Sequence, residues 1–236
     1  SELLNGVRTV FYAACRYFTD IQACLPAASS SEVFFSQFYN RLLKRAQDPD
    51  PSVFLMGFET IALQAEKSLF DLAVWLKSHP NLAAHVQDTP VVTLLEEMHN
   101  QAAPLAMAAG QWEEWVRRFQ KHLEKFGRTA YEFDFANPTP YEAPEPLLEV
   151  IKTFLTGKAG SPYDRQQKAV ARRESAVQAV LNRTGWPLKN WFKKLLLWAQ
   201  ETNPMRENSI ASMGLGHPLI RRMLGELGRR FAAAGA

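Results

Sequence analysis

The side chains able to carry chemistry in this sequence are scattered rather than grouped. Five histidines are present: His79, His85, His99, His122 and His217. None belongs to an HExxH pair on one helix face, and none adjoins a serine or cysteine in a nucleophile setting. His79-Pro80 and His217-Pro218 read instead as helix entries, because helix N-termini recruit polar residues before proline. Gly214-Leu215-Gly216 follows no strand and is completed by neither GK[ST] nor GxGxxG, so it is not a phosphate loop. Glu132 and Asp134 have the types and spacing of an acid/base pair or a magnesium site. In an aromatic stretch such carboxylates also cap backbone amides or pair with arginine. The doublets Arg172-Arg173, Arg221-Arg222 and Arg229-Arg230 offer guanidinium groups to a phosphate, although a solvated helix face with i,i+4 partners explains them too. Cys15 and Cys24 lack CxxC spacing and nearby histidine pairs. They are expected to be buried thiols in a reducing cytoplasm, and no metal site is expected.

Helices must position these groups. Phe58, Ile61, Ala65, Leu69, Leu72 and Leu76 recur at helical spacing, and so do Trp112, Val116, Phe119, Leu123 and Phe126, with Gly127 as a stop. Ile220, Met223, Leu224, Leu227 and Phe231 form a third stripe. Ser29 with Glu32 and Ser161 with Asp164 have capping-box spacing. Thr89-Pro90 and Ser161-Pro162 place proline at a first helical position. The segment from Trp186 to Trp198 is apolar on nearly all sides and predicts a central helix buried by its neighbours. Strand-like alternation is almost absent. The expected fold is therefore all-α: an irregular multi-helix bundle over 1–236, a single helical domain, with one long ordered loop near 128–144. The chain's 236 residues and 47% hydrophobic content suffice for a core without staples. A net charge of +3 is too small to imply a polyanion, so no nucleic acid is expected. No apolar run reaches the roughly 20 residues that span a bilayer, and no membrane partner is expected. Ser1 and the abrupt stop after Phe231-Ala232-Ala233-Ala234-Gly235-Ala236 are expected to be cuts in a longer chain.

Several blocks are familiar in order. They are Phe34-Phe35-Ser36-Gln37-Phe38-Tyr39, Leu55-Met56-Gly57-Phe58-Glu59 and Ala65-Glu66-Lys67-Ser68-Leu69-Phe70-Asp71-Leu72-Ala73. Lys125-Phe126-Gly127, Glu132-Phe133-Asp134 and Tyr141-Glu142-Ala143-Pro144 follow, then Arg206-Glu207 and the run from Arg221 to Gly235. Together they resemble the central helical region of the phosphoenolpyruvate-synthase-like and rifampicin-phosphotransferase-like family, a group that also takes in pyruvate phosphate dikinase. The resemblance implies a parent enzyme with an ATP-grasp domain before this region and a swivelling phosphohistidine domain after it. ATP and magnesium would serve that parent, with no cofactor in this fragment.

The chain itself would then hold no catalytic residue. It would bind a small-molecule acceptor and position it for phosphoryl transfer, which asks mainly for orientation and charge. The acceptor-binding residues this implies are Arg206, Glu132, Asp134, Arg128, Phe58 and Trp75, the aromatic ones in blocks that also contain Phe34 and Phe38. Two departures from the family pattern lie in the 128–144 loop. The stretch after Phe126-Gly127 is one residue shorter before its acidic residue, and Pro140-Tyr141 stands where the family has arginine-tryptophan. Two other readings compete: a freestanding helical scaffold or regulatory module with no enzyme parent, and a helical enzyme using Glu132 and Asp134.

Overall fold

Apolar residues at three- and four-residue spacing become helices over most of the chain. In a computed structural model that describes residues 2–100, 109–129, 136–213 and 217–235, nine α-helices and one 3-10 turn are found among the described residues, with no strand. The helices are α1 (Glu2–Leu42), α2 (Ile61–Lys77), α3 (Pro80–Asp88), α4 (Val91–His99), α5 (Ala109–Phe126), α6 (Glu145–Leu155), α7 (Pro162–Arg183), α8 (Leu188–Met213) and α9 (His217–Ala233). The 3-10 turn is Pro51–Leu55. The fold is all-α.

The chain forms two compact units. One comprises Ser1–Ala14, Leu63–Ser161 and Ala211–Ala236; the other comprises Cys15–Ala62 and Pro162–Ile210. In the first unit, Leu69, Leu72 and Leu76 of α2 meet Leu82 and Val86 of α3, Leu94 of α4, Trp112, Trp115 and Phe119 of α5, and Leu148 and Ile151 of α6. Each helix contributes one stripe, as a 3.6-residue period requires. Lys152 on α6 donates to the Thr89 carbonyl at 2.5 Å, closing the turn between α3 and α4. In the second unit, Phe35 and Tyr39 of α1 and Phe54 of the 3-10 turn pack with Val180 of α7 and Phe192, Leu196 and Ala199 of α8. Phe54 meets Tyr39 edge-on at 4.8 Å between centroids, a geometry that the aromatic quadrupole favours.

Several local expectations change. Ser29 and Glu32 lie inside α1, so they start no helix. Good helix formers on both sides carry the helix past Pro26, which removes a single hydrogen bond. Pro90 is the residue before α4, not its first, because Thr89 N still donates to His85 O and finishes α3. His79 and His217 do stand at helix entries, and α7 does begin at Pro162. Cys15 is exposed on α1 and in no disulfide, contrary to the expected burial. The Trp186–Trp198 segment is not buried on all sides. Phe192, Leu196 and Ala199 are covered, but Trp186 is 82% exposed, Trp191 56% and Leu197 57%. A helix on the margin of one small core buries a single stripe, and apolar side chains on its other faces stay outside whatever their type.

Candidate functional site

Arg206 lies on α8, and its Nη1 donates to Glu32 Oε2 of α1 at 2.9 Å. Both side chains are partly exposed, at 35% and 38%. One turn earlier the same two helices exchange a hydroxyl contact, Ser31 Oγ to Thr202 Oγ1 at 2.5 Å, with Ser31 fully buried. The buried contact fixes the spacing of the helices, and the ion pair sits at its solvent edge. Arg206 thus reaches a carboxylate distant in sequence.

The Leu55-Met56-Gly57-Phe58-Glu59 block is a strap held from two sides. From α8, Gln200 Nε2 donates to Phe54 O at 2.9 Å, Asn203 Nδ2 to Leu55 O at 3.2 Å, and Asn208 Oδ1 accepts from Ile61 N at 3.0 Å. From α7, Arg173 Nη1 donates to Met56 O at 2.6 Å and Gln166 Nε2 to Gly57 O at 3.2 Å. The strap's own carbonyls and amides find no partner in a regular ladder, so amide and guanidinium side chains supply them. Phe58 lies half-buried under the Arg173 guanidinium, 4.2 Å from its centroid. Gly57 has φ +81°, and a Cβ there would come within 2.9 Å of Val170 N. Only glycine fits so close to α7 in that conformation.

The remaining expected residues lie apart from these. Trp75, in the first unit, is half-buried between the Arg118 guanidinium, 4.9 Å from its centroid, and the His79 ring. Arg128 is exposed over the Tyr141 ring at 5.1 Å. Glu132 and Asp134 lie outside the described residues. Of the aromatic block on α1, Phe34 is 56% exposed and stacks on Trp198, while Phe35 and Tyr39 go to the core.

The end of the 128–144 stretch is well defined. Tyr141 N donates to Gly127 O at 2.8 Å, and a Cβ on Gly127 would sit 2.7 Å from Leu123 O. Glu142 accepts from Thr139 N at 3.0 Å and from Arg221 Nε of α9 at 3.1 Å. Arg221 Nη1 also donates to Ala136 O at 2.6 Å. Beside this junction is a cleft of about 760 Å³ lined by Glu142 and by α9, including Arg221, Arg222 and Arg229.

Residues 26–207 match the family described as the rifampicin phosphotransferase fourth domain. The chain belongs to that family. The match takes in the strap, Trp75, Arg128 and Arg206, whereas the Arg221–Gly235 run lies beyond it. A comparison with curated proteins finds no match.

Two polar pairs escaped sequence reasoning. His122, buried on α5, has its Nδ1 2.9 Å from Ser68 Oγ of α2, and burial pushes the imidazole down to about 4. The ring is therefore neutral near pH 7. His85 Nε2 lies 2.7 Å from Glu97 Oε2, joining α3 to α4. Neither pair is near in sequence, and no motif marks either. Among the described residues, no group of three or more His, Cys, Asp or Glu side chains is placed to hold a metal ion, and no helix is long and apolar enough to cross a membrane.

Proposed function

We propose that this chain is the acceptor-holding helical domain of a cytoplasmic, multidomain phosphotransferase of the phosphoenolpyruvate-synthase and pyruvate-phosphate-dikinase kind. In the parent, an ATP-grasp domain uses ATP and magnesium to phosphorylate a histidine on a swivelling domain. That histidine then passes its phosphoryl group to a small molecule held by the present chain. The single observation that supports this reading is the family match across residues 26–207, which ends at the Arg206-Glu207 pair.

The role assigned to this chain's residues is positioning and charge. Arg206 presents a guanidinium whose direction is already set by Glu32, so little rotamer freedom is lost when an anionic group arrives. Phosphoryl transfer spreads negative charge over the moving group, and a fixed cation there lowers the barrier. The strap and the residues holding it supply rigid backbone nearby in the same unit.

The test separates two half-reactions in the full-length parent. Arg206→Ala slows transfer to the acceptor by about 10²–10³-fold, as removal of one transition-state donor does, and leaves histidine phosphorylation by ATP unchanged. Equal loss of both steps, or loss of neither, overturns the assignment.

A further inference from the structure

We infer that the cleft along α9 binds a small organic anion, one with a phosphoryl group or carboxylate on an apolar body. The argument starts from charge on one helix. Arg222 and Glu226 are four residues apart and would ordinarily pair. Glu226 is already taken: its Oε1 accepts from Arg230 Nε at 2.8 Å and its Oε2 pairs with Arg229. Glu142, the other carboxylate among the cleft's described residues, is paired with Arg221 at 3.1 Å. Among the described residues, four arginines on this helix share these two carboxylates, and Arg222 is left exposed with no ion pair.

The engaged arginines matter as well. Arg221 is fixed by Glu142 and by Ala136 O, so its guanidinium borders the cleft in a set direction, while Arg229, paired with Glu226, adds a second cation at the solvent edge. An anion entering here meets one uncompensated charge and one oriented one, a favourable arrangement for charge-assisted hydrogen bonds. Leu219, Met223 and Leu224 line the same space, which accounts for an apolar body rather than a bare ion. Gly225 keeps the space open: a Cβ there would meet nothing within 4 Å. The inference rests on this geometry alone and is independent of the phosphotransferase reading.

The test uses the 236-residue chain and phenyl phosphate, followed by amide chemical shifts. Wild type binds saturably with a dissociation constant in the low millimolar range, roughly 1–5 mM, and the shifts fall on α9. Arg222→Gln weakens binding about tenfold. Gly225→Leu, which fills the cleft while improving helix propensity, abolishes it. Arg172→Gln removes the same charge from α7, lines no part of the cleft and leaves binding unchanged. Phenol, with the ring but no charge, does not bind. Absence of saturation in wild type, or equal binding by wild type, Arg222→Gln and Gly225→Leu, overturns the inference, whatever the outcome of the phosphotransfer assay.

Discussion

Replacing Gly57 by alanine should destabilise the second unit by about 2–5 kcal/mol, and the size can be built from two separate terms. The first is conformational. Gly57 has φ +81°, and an L-residue held in that region costs roughly 1–2 kcal/mol. The second is a collision, since the new Cβ would lie 2.9 Å from both Val170 N and Val170 Cγ2. The side-chain methyl can turn aside; the backbone of α7 cannot move without weakening the Arg173 bond to Met56 O and the Gln166 bond to Gly57 O. Overpacking of this type costs about 1–3 kcal/mol. Gly157 isolates the terms. It follows α6 with φ +70°, its neighbour Lys158 N donates back to Thr153 O, and a Cβ would meet nothing within 4 Å. Gly157→Ala therefore carries only the conformational term, roughly 1–2 kcal/mol. Urea unfolding followed by fluorescence measures both variants. Equal losses in the two would refute the close approach of strap and α7, whereas a larger loss at Gly57 measures it.

Leu196→Ala should cost about 2–5 kcal/mol, because Leu196 is 6% exposed in the second core, and half-buried Leu195→Ala clearly less; the reverse order in urea midpoints would contradict the helix's orientation. Stability should also fall in two pH windows. His122 is held low, at about 4 against an ordinary 6.5, so the unfolded chain takes a proton first and stability drops as pH falls from 6.5 towards 4; His122→Gln flattens that window. The Arg183 hydrogen bond holds Asp48 below its ordinary value, so its contribution is intact above about pH 4 and lost as pH falls further. Asp48→Asn should therefore differ from wild type at pH 7 and converge with it at low pH, and a gap that stays constant in urea titrations down to pH 2 would exclude this origin.

Periodicity made the helices legible, and proline after histidine or serine marked three of their starts. What it could not tell is which face each helix would bury. The Trp186–Trp198 segment offered apolar residues all round, and the choice of Phe192, Leu196 and Ala199 came from Phe35 and Phe54, far away in sequence. The same distance hid the polar pairs. Ser68 and His122 belong to different helices, and Glu32 is 174 residues from Arg206. The family blocks were legible as strings but not as physics. Gly57 is required because Val170 approaches it, and Gly127 because a Cβ there would meet Leu123 O at 2.7 Å and Tyr141 N at 3.1 Å. Arg206 stood out because, with Glu207, it forms one of the family blocks, whereas Arg222 carried two readings, a phosphate contact or a solvated helix face, until Glu226 proved to be engaged by others.

Exposure sorts the ion pairs by role. Arg183 and Asp48 are only 20% and 15% exposed, and Arg183 also donates to Leu43 O at 3.1 Å. Breaking that pair strands a largely desolvated charge held at only 15–20% exposure, so it belongs to the fold. Arg206 and Glu32 are 35% and 38% exposed. Water screens such a pair to about 0–1 kcal/mol. Arg206→Ala should accordingly shift the unfolding free energy of this chain by less than about 1 kcal/mol, measured by urea titration at pH 7. A small shift combined with a large loss of acceptor phosphorylation in the parent assigns Arg206 to transfer. A shift as large as that of Arg183→Ala would make Arg206 a structural clamp, and its effect on phosphorylation would then follow from unfolding.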